Sequence, residues 1–173
     1  MTTGKIMTSR VITLQPDDRV ADALALMHKH HVRNMPVVDD SGAFIGLFGV
    51  RRLGHLLLPR AAVDLSRYSV ADLSFLPDEI RQMSERWQEI AREPVARFLE
   101  KKKKLRCCTP DTSFPQGLEL IEQSPDSRLH VIVVEGDTQT PVGMVSAWDV
   151  LEGGVMKLLV HGDSADPDPS TGG

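Results

Sequence analysis

The chain carries an internal repeat, and that repeat limits its fold more than any single motif does. Around Met35 it reads MPVVDDSGAFIGLFGVRRL, and around Val131 it reads VIVVEGDTQTPVGMVSAWDVL. Each is a pair of apolar strands split by a polar turn, followed by the start of a helix. Upstream, Pro16, Val20, Leu24 and Met27 recur as Pro110, Phe114, Leu118 and Ile121 with a shift of 94 positions. Downstream, Gly46, Gly49 and Arg52 recur as Gly143, Ser146 and Asp149 with a shift of 97. Two homologous units therefore build one object, and function is expected where they differ.

Hydrophobic patterning gives each unit the order β-α-β-β-α. In the first, Val11 to Leu14 reads as a short strand, and Pro16-Asp17-Asp18 as a turn capping a helix through Val20, Ala23, Leu24 and Met27. Asn34 to Val38 and Phe44 to Gly49 form a hairpin, and Arg51 to Leu58 a second helix. In the second unit the corresponding strand is Leu105 to Cys108, and the helix is capped at Thr112 or Ser113. Val131 to Val134 and Val142 to Ser146 form the hairpin, and a helix runs from Ala147 onward. The expected fold class is α/β (α+β), two tandem units packed as a pseudo-two-fold pair with an inserted helical linker.

The expected boundaries are 5–58 for the first repeat, 59–94 for the insertion, 95–160 for the second repeat and 161–173 for a disordered tail. The insertion contains PDEIRQMSERWQEIARE, with Pro77 and Asp78 at a helix start and Ile80, Met83, Trp87 and Ile90 on one face. That face either covers the pair's own core or a symmetry mate, or docks another protein. The tail, HGDSADPDPSTGG, has almost nothing to bury.

With 173 residues the chain can bury a real core, and its net charge of −4 gives no broad electrostatic case for nucleic acid or an anionic membrane. No apolar run reaches the roughly 20 residues of a membrane span, and the N-terminus lacks a signal-peptide core, so a cytoplasmic location is expected. Cys107 and Cys108 are adjacent, a poor geometry for a disulfide, and read as packing residues of a buried strand. The run Lys101 to Lys104 reads as a solvated edge, with a phosphate or nucleic-acid contact as its alternative. His28, His30 and His31 suit the dipole at a helix C-terminus, and no carboxylate or Cys completes a metal site there. Trp148 is expected to pack on the closing helix.

The duplicated β-α-β-β-α order, joined to PVVD before the turn and to G-h-x-S-x-x-D (h apolar) at the last strand end, resembles the CBS domain over nearly the whole chain. Two such domains pair into a Bateman module. The resemblance implies a regulatory module that senses an adenosyl ligand, AMP, ADP, ATP or S-adenosylmethionine, in the clefts between repeats, and not an enzyme. Mg²⁺ would accompany ATP. It also implies a homodimer, which the apolar closing helix through Val150, Leu151, Val155, Leu158 and Leu159 suits, and a separate regulated protein if one exists. Consistent with a non-enzyme, spacing singles out no nucleophile–base pair or carboxylate dyad.

Ser146 and Asp149 stand at i, i+3 at the expected helix start. Ser146 lies where free backbone N–H groups favour an anion, and Asp149 can accept two hydrogen bonds from vicinal hydroxyls, as a ribose offers. The resemblance assigns these two positions to phosphate and ribose. It further implies that Met144 lines the adenine, that Arg128 and Leu129 sit before the second strand, and that backbone at Lys104, Leu105 and Arg106 reads the base edge. Arg33, with Asn34 beside it, would reach phosphate from the other repeat. The first repeat departs at both decisive positions, with Gly49 for the hydroxyl and Arg52 for the carboxylate, so one competent site per chain is expected. The opposing reading is a pair that has lost ligand binding and serves for dimerisation or docking.

Overall fold

The computed structural model describes residues 1–57, 76–123 and 130–156. The expected disordered tail, the stretch 58–75, and Arg128, Leu129, Leu158 and Leu159 lie outside the described residues. The chain forms two compact units, Ile12–Leu105 and Met1–Val11 with Arg106–Gly173. The first eleven residues thus belong with the second repeat, and the stretch leading into the second repeat belongs with the first.

In the first-repeat unit, helix α1 (Val20–His30) leads to strands β1 (Asn34–Val38) and β2 (Phe44–Gly49), then α2 (Val50–Leu57) and α3 (Leu76–Ile90). Strand β3 (Glu100–Lys101) completes an antiparallel sheet of order β1-β2-β3. The expected strand at Val11 to Leu14 is reduced to one parallel bridge, Leu14 to Val37. Helix α1 begins one residue later than read: Arg19 is its N-cap without a side-chain bond, while Asp18 Oδ2 accepts from the Gln15 amide at 2.7 Å. Its end is closed by His31, whose left-handed φ of 55° turns its N–H back onto the His28 and Met27 carbonyls. In the hairpin turn, Asp39 Oδ1 accepts from Ser41 and from the Ala43 amide, which holds its carboxyl below the ordinary value, Ser41 contributing most.

The core of this unit is Leu14, Val20, Ala23, Met27, Met35, Val37, Phe48, Leu53 and Val95. Trp87 and Ile90 of α3 pack against it, whereas Ile80 is 64% exposed. The inserted helix therefore covers the chain's own core with its C-terminal half, the first of the two readings of its apolar face.

In the second-repeat unit, β4 (Cys107–Cys108) runs parallel to β5 (His130–Val134), which pairs antiparallel with β6 (Pro141–Ser146). Helix α4 (Phe114–Glu122) packs beside them, and α5 (Ala147–Val150) continues as a π-helical turn over Leu151–Met156. The core is Cys108, Ile121, Val131, Val133, Val145 and Val150. Cys108 is buried and burial pushes its thiol pKa up, which fits a packing residue and not a reactive one. Trp148 does not pack on the closing helix as expected. It is 69% exposed, because the buried face of α5 is taken by Val150.

The two lead segments are bonded alike. Thr3 and Gly4 amides donate to the Thr112 and Pro110 carbonyls, as the Val95 and Ala96 amides donate to those of Asp18 and Pro16. Thr8 bridges Met144, as Glu100 pairs with Leu47. Both segments lie over a glycine. A Cβ on Gly143 would strike the Met7 side chain, and one on Gly46 would strike Leu99 and the Glu100 carbonyl oxygen. The shared glycine of the repeat is thus set by close approach of a neighbouring segment.

Candidate functional site

Strand β6 ends and α5 begins at Ser146, where the spacing S-x-x-D closes a capping box. The Ser146 amide donates to Asp149 Oδ2 at 2.7 Å, the Ser146 hydroxyl donates to the same oxygen, and the Asp149 amide donates to Ser146 Oγ at 3.2 Å. Both side chains are half-buried. Asp149 Oδ1 is spared by the box and accepts from the Thr8 hydroxyl at 3.3 Å. A carboxylate held by three hydrogen bonds from two residues is a fixed acceptor whose remaining lone pairs can take further donors. The Ser146 hydroxyl proton is spent on Asp149, so a phosphate contact through it requires that hydroxyl to turn.

The counterpart in the first repeat is built differently. Gly49 is buried opposite Asn34, and a Cβ there would meet Asn34 Oδ1. The space of a hydroxyl side chain is therefore filled by the neighbouring amide, and the carboxylate position is an exposed arginine, Arg52. Neither half of the capping box can form.

A family model described as the CBS domain matches residues 4–57 and again 91–154. The chain belongs to the CBS-domain family. Among solved structures it resembles CBSX2 from Arabidopsis thaliana at 17% identity, with a TM-score of 0.66 over 90% of this chain and 95% of that one. CBSX2 in complex with AMP aligns at 18% identity and a TM-score of 0.63 over 90% and 97% of the two chains. The CBS domain pair of protein MJ0100, in complex with 5-methylthioadenosine and S-adenosyl-L-methionine, aligns at 14% and 0.62 over 91% and 98%. These likenesses establish the fold of a tandem CBS pair.

Two uncharacterized archaeal proteins match over 42 residues at 45% identity, one from Methanobacterium ivanovii and one from Methanocaldococcus jannaschii. That stretch is 24% of this chain and 44% and 25% of theirs, so the match spans less than half of either relative.

Of the site residues that CBS resemblance assigns, Ser146, Asp149, Met144 and Arg106 lie in the second-repeat unit. Lys104, Leu105, Arg33 and Asn34 lie in the first-repeat unit. The segment that flanks Met144 is Thr8, whose amide and carbonyl exchange bonds of 2.9 and 3.1 Å with Met144. Apolar patterning shows that the lead segments are buried but not against which repeat, so this exchange is invisible to spacing alone. The apolar pairs Ile6-Met7 and Phe98-Leu99, shifted by 92 positions, are its faint trace in the sequence.

His130 is a second residue that the sequence reading passed over. It stands directly across from Ser146 in the β5–β6 ladder, as Asn34 stands across from Gly49. Partial desolvation of its ring lowers its pKa below the ordinary 6.5, and the charge of Asp149 opposes this in part. A depressed histidine pKa means that the unfolded chain binds the extra proton first. The stability His130 contributes is therefore present above the ordinary value and lost as pH falls through it. We expect His130→Asn to flatten the fall in melting temperature between about pH 7 and about pH 5. Parallel slopes for the two proteins would remove His130 from the account.

Among the described residues, no group of three His, Cys, Asp or Glu side chains could hold a metal ion, and no helix is long and apolar enough to cross a membrane.

Proposed function

We propose that this CBS pair is a regulatory module that senses one adenosyl ligand per chain, mainly through its second repeat. The observation that carries the reading is the Ser146–Asp149 capping box, present where the family's hydroxyl and carboxylate positions are both kept. In this reading Asp149 takes the ribose hydroxyls, Ser146 turns its hydroxyl to phosphate, and Met144, half-buried beside the same strand end, lines the adenine. The backbone at Arg106, in the same unit, reads the base edge. AMP is the first candidate, by analogy with the complex of CBSX2; ADP, ATP with Mg²⁺ and S-adenosylmethionine follow.

Sensing requires that the ligand favour one conformation or assembly over another. A homodimer through the closing helix is the natural carrier of that difference, because Leu151 and Met156 are 50% and 55% exposed on its π-helical turn. The same exposed face favours a second reading, a docking or dimerisation module without ligand.

Thermal melts with AMP, ADP, ATP, S-adenosylmethionine and NADH separate the two. A ligand that binds the folded state at 100 times its Kd adds about 2.7 kcal/mol, which raises the melting temperature by several degrees. An unchanged melt with every ligand, for a folded dimer, selects the docking module. Restoring the first site with Gly49→Ser and Arg52→Asp is expected to leave the stoichiometry at one, since Asn34 still occupies the hydroxyl's space. A second binding event in that variant would show that the two replaced residues alone silence the first repeat.

A further inference from the structure

The capping box leaves one question about Asp149: what holds its outer oxygen. Both bonds that Asp149 accepts within the box fall on Oδ2, and Oδ1 accepts from the Thr8 hydroxyl. Thr8 is 141 positions away in sequence, yet it is fixed at this place. Its backbone exchanges two hydrogen bonds with Met144, two residues before Ser146, and the preceding Met7 lies over Gly143, where a Cβ would strike it. The hydroxyl is thereby delivered to the carboxylate by a docked strand.

We propose that Thr8 is a positioning residue for ligand recognition: its hydroxyl, carried by the exchanged N-terminal segment, orients the Asp149 carboxylate toward a ribose diol. The role rests on the reading of Asp149 as ribose acceptor. A carboxylate held only through one oxygen can swing about its terminal torsion. Fixing the second oxygen removes that freedom before the ligand arrives, and less entropy is then lost on binding.

The other unit supplies an independent observation. Glu100 pairs with Leu47 as Thr8 pairs with Met144, and Leu47 and Met144 are repeat equivalents, so Glu100 occupies the register of Thr8. Across the two units, the hydroxyl and carboxylate of Thr8 and Asp149 are replaced by the carboxylate and guanidinium of Glu100 and Arg52. The strand position and the helix position differ together, and in each unit their chemistries are complementary. That is the pattern of two residues acting as one device.

The test uses the full chain and two probes, AMP and its 2′,3′-dideoxy analogue, titrated into wild type, Thr8→Val and Thr8→Ser. Thr8→Val keeps the shape and β-branching and removes the donor; circular dichroism and gel filtration check that it folds. The hydrogen bond is long and exposed, so AMP affinity is expected to fall about fivefold in Thr8→Val and to stay within about twofold in Thr8→Ser. Affinity for the dideoxy analogue should not change, since it has no diol for the oriented carboxylate to meet. Equal losses for both probes would show a merely structural role and overturn the proposal, as would no loss for either. Failure of wild type to bind either probe would overturn the nucleotide reading itself, and this role with it.

Discussion

In Asp149→Ala, affinity for AMP is expected to fall by about 100-fold or more, because two ribose hydroxyls lose a charged acceptor whose hydrogen bonds are worth about 1.5–3 kcal/mol each. The same change opens the capping box, leaving the Ser146 amide and hydroxyl without their acceptor, and should cost about 1 kcal/mol of stability. The two losses are separable. Asp149→Asn keeps an oxygen that can accept from the Ser146 amide but removes the charge. It should therefore fold nearly as well as wild type while binding AMP tens of times more weakly. Retention of full affinity in both variants, measured on protein with a cooperative melt, would take the ribose out of this site. It would leave Asp149 as a helix cap alone.

Gly46→Ala should be the most damaging small substitution in the hairpins, by about 1–3 kcal/mol in urea unfolding. An added Cβ would stand 2.5 Å from the Glu100 carbonyl oxygen, which is backbone and can yield only if β3 leaves β2. The repeat-equivalent Gly143→Ala meets first the flexible end of Met7, which can rotate aside, and should cost clearly less. The asymmetry is the informative part. Equal costs at the two positions would mean that the lead segments are held by something other than these close approaches.

The hairpins and helices were legible because two strong local signals agree. Asn34–Val38 and Phe44–Gly49 are apolar runs on either side of a turn whose Gly42 has a φ of 83°, and the second hairpin repeats the plan with His130–Val134 and Pro141–Ser146. The duplicated spacing then made each unit a check on the other. The Ser146–Asp149 pair was legible as a capping box for the same reason, since i, i+3 at a strand-to-helix junction is its spacing.

What could not be read is which surfaces meet. Thr3 is fully buried and its hydroxyl donates to the Thr109 carbonyl at 2.7 Å, a contact across 106 positions that no local pattern encodes. The expected strand at Val11 to Leu14 shrank to a single bridge for a related reason. The chain passes there from one unit to the other, since Val11 closes one and Ile12 opens the next. Trp148 was expected to pack on the closing helix. The four-residue α5 has one buried position, Val150, and the π-helical turn after it leaves Trp148 on the outside.

The most direct test of the central claim is isothermal titration calorimetry of AMP into the wild-type chain, with Asp149→Ala as the control. The account predicts a single saturable transition with a stoichiometry of one AMP per chain, absent in Asp149→Ala. Two equal sites per chain, or saturable binding that survives Asp149→Ala, would contradict it.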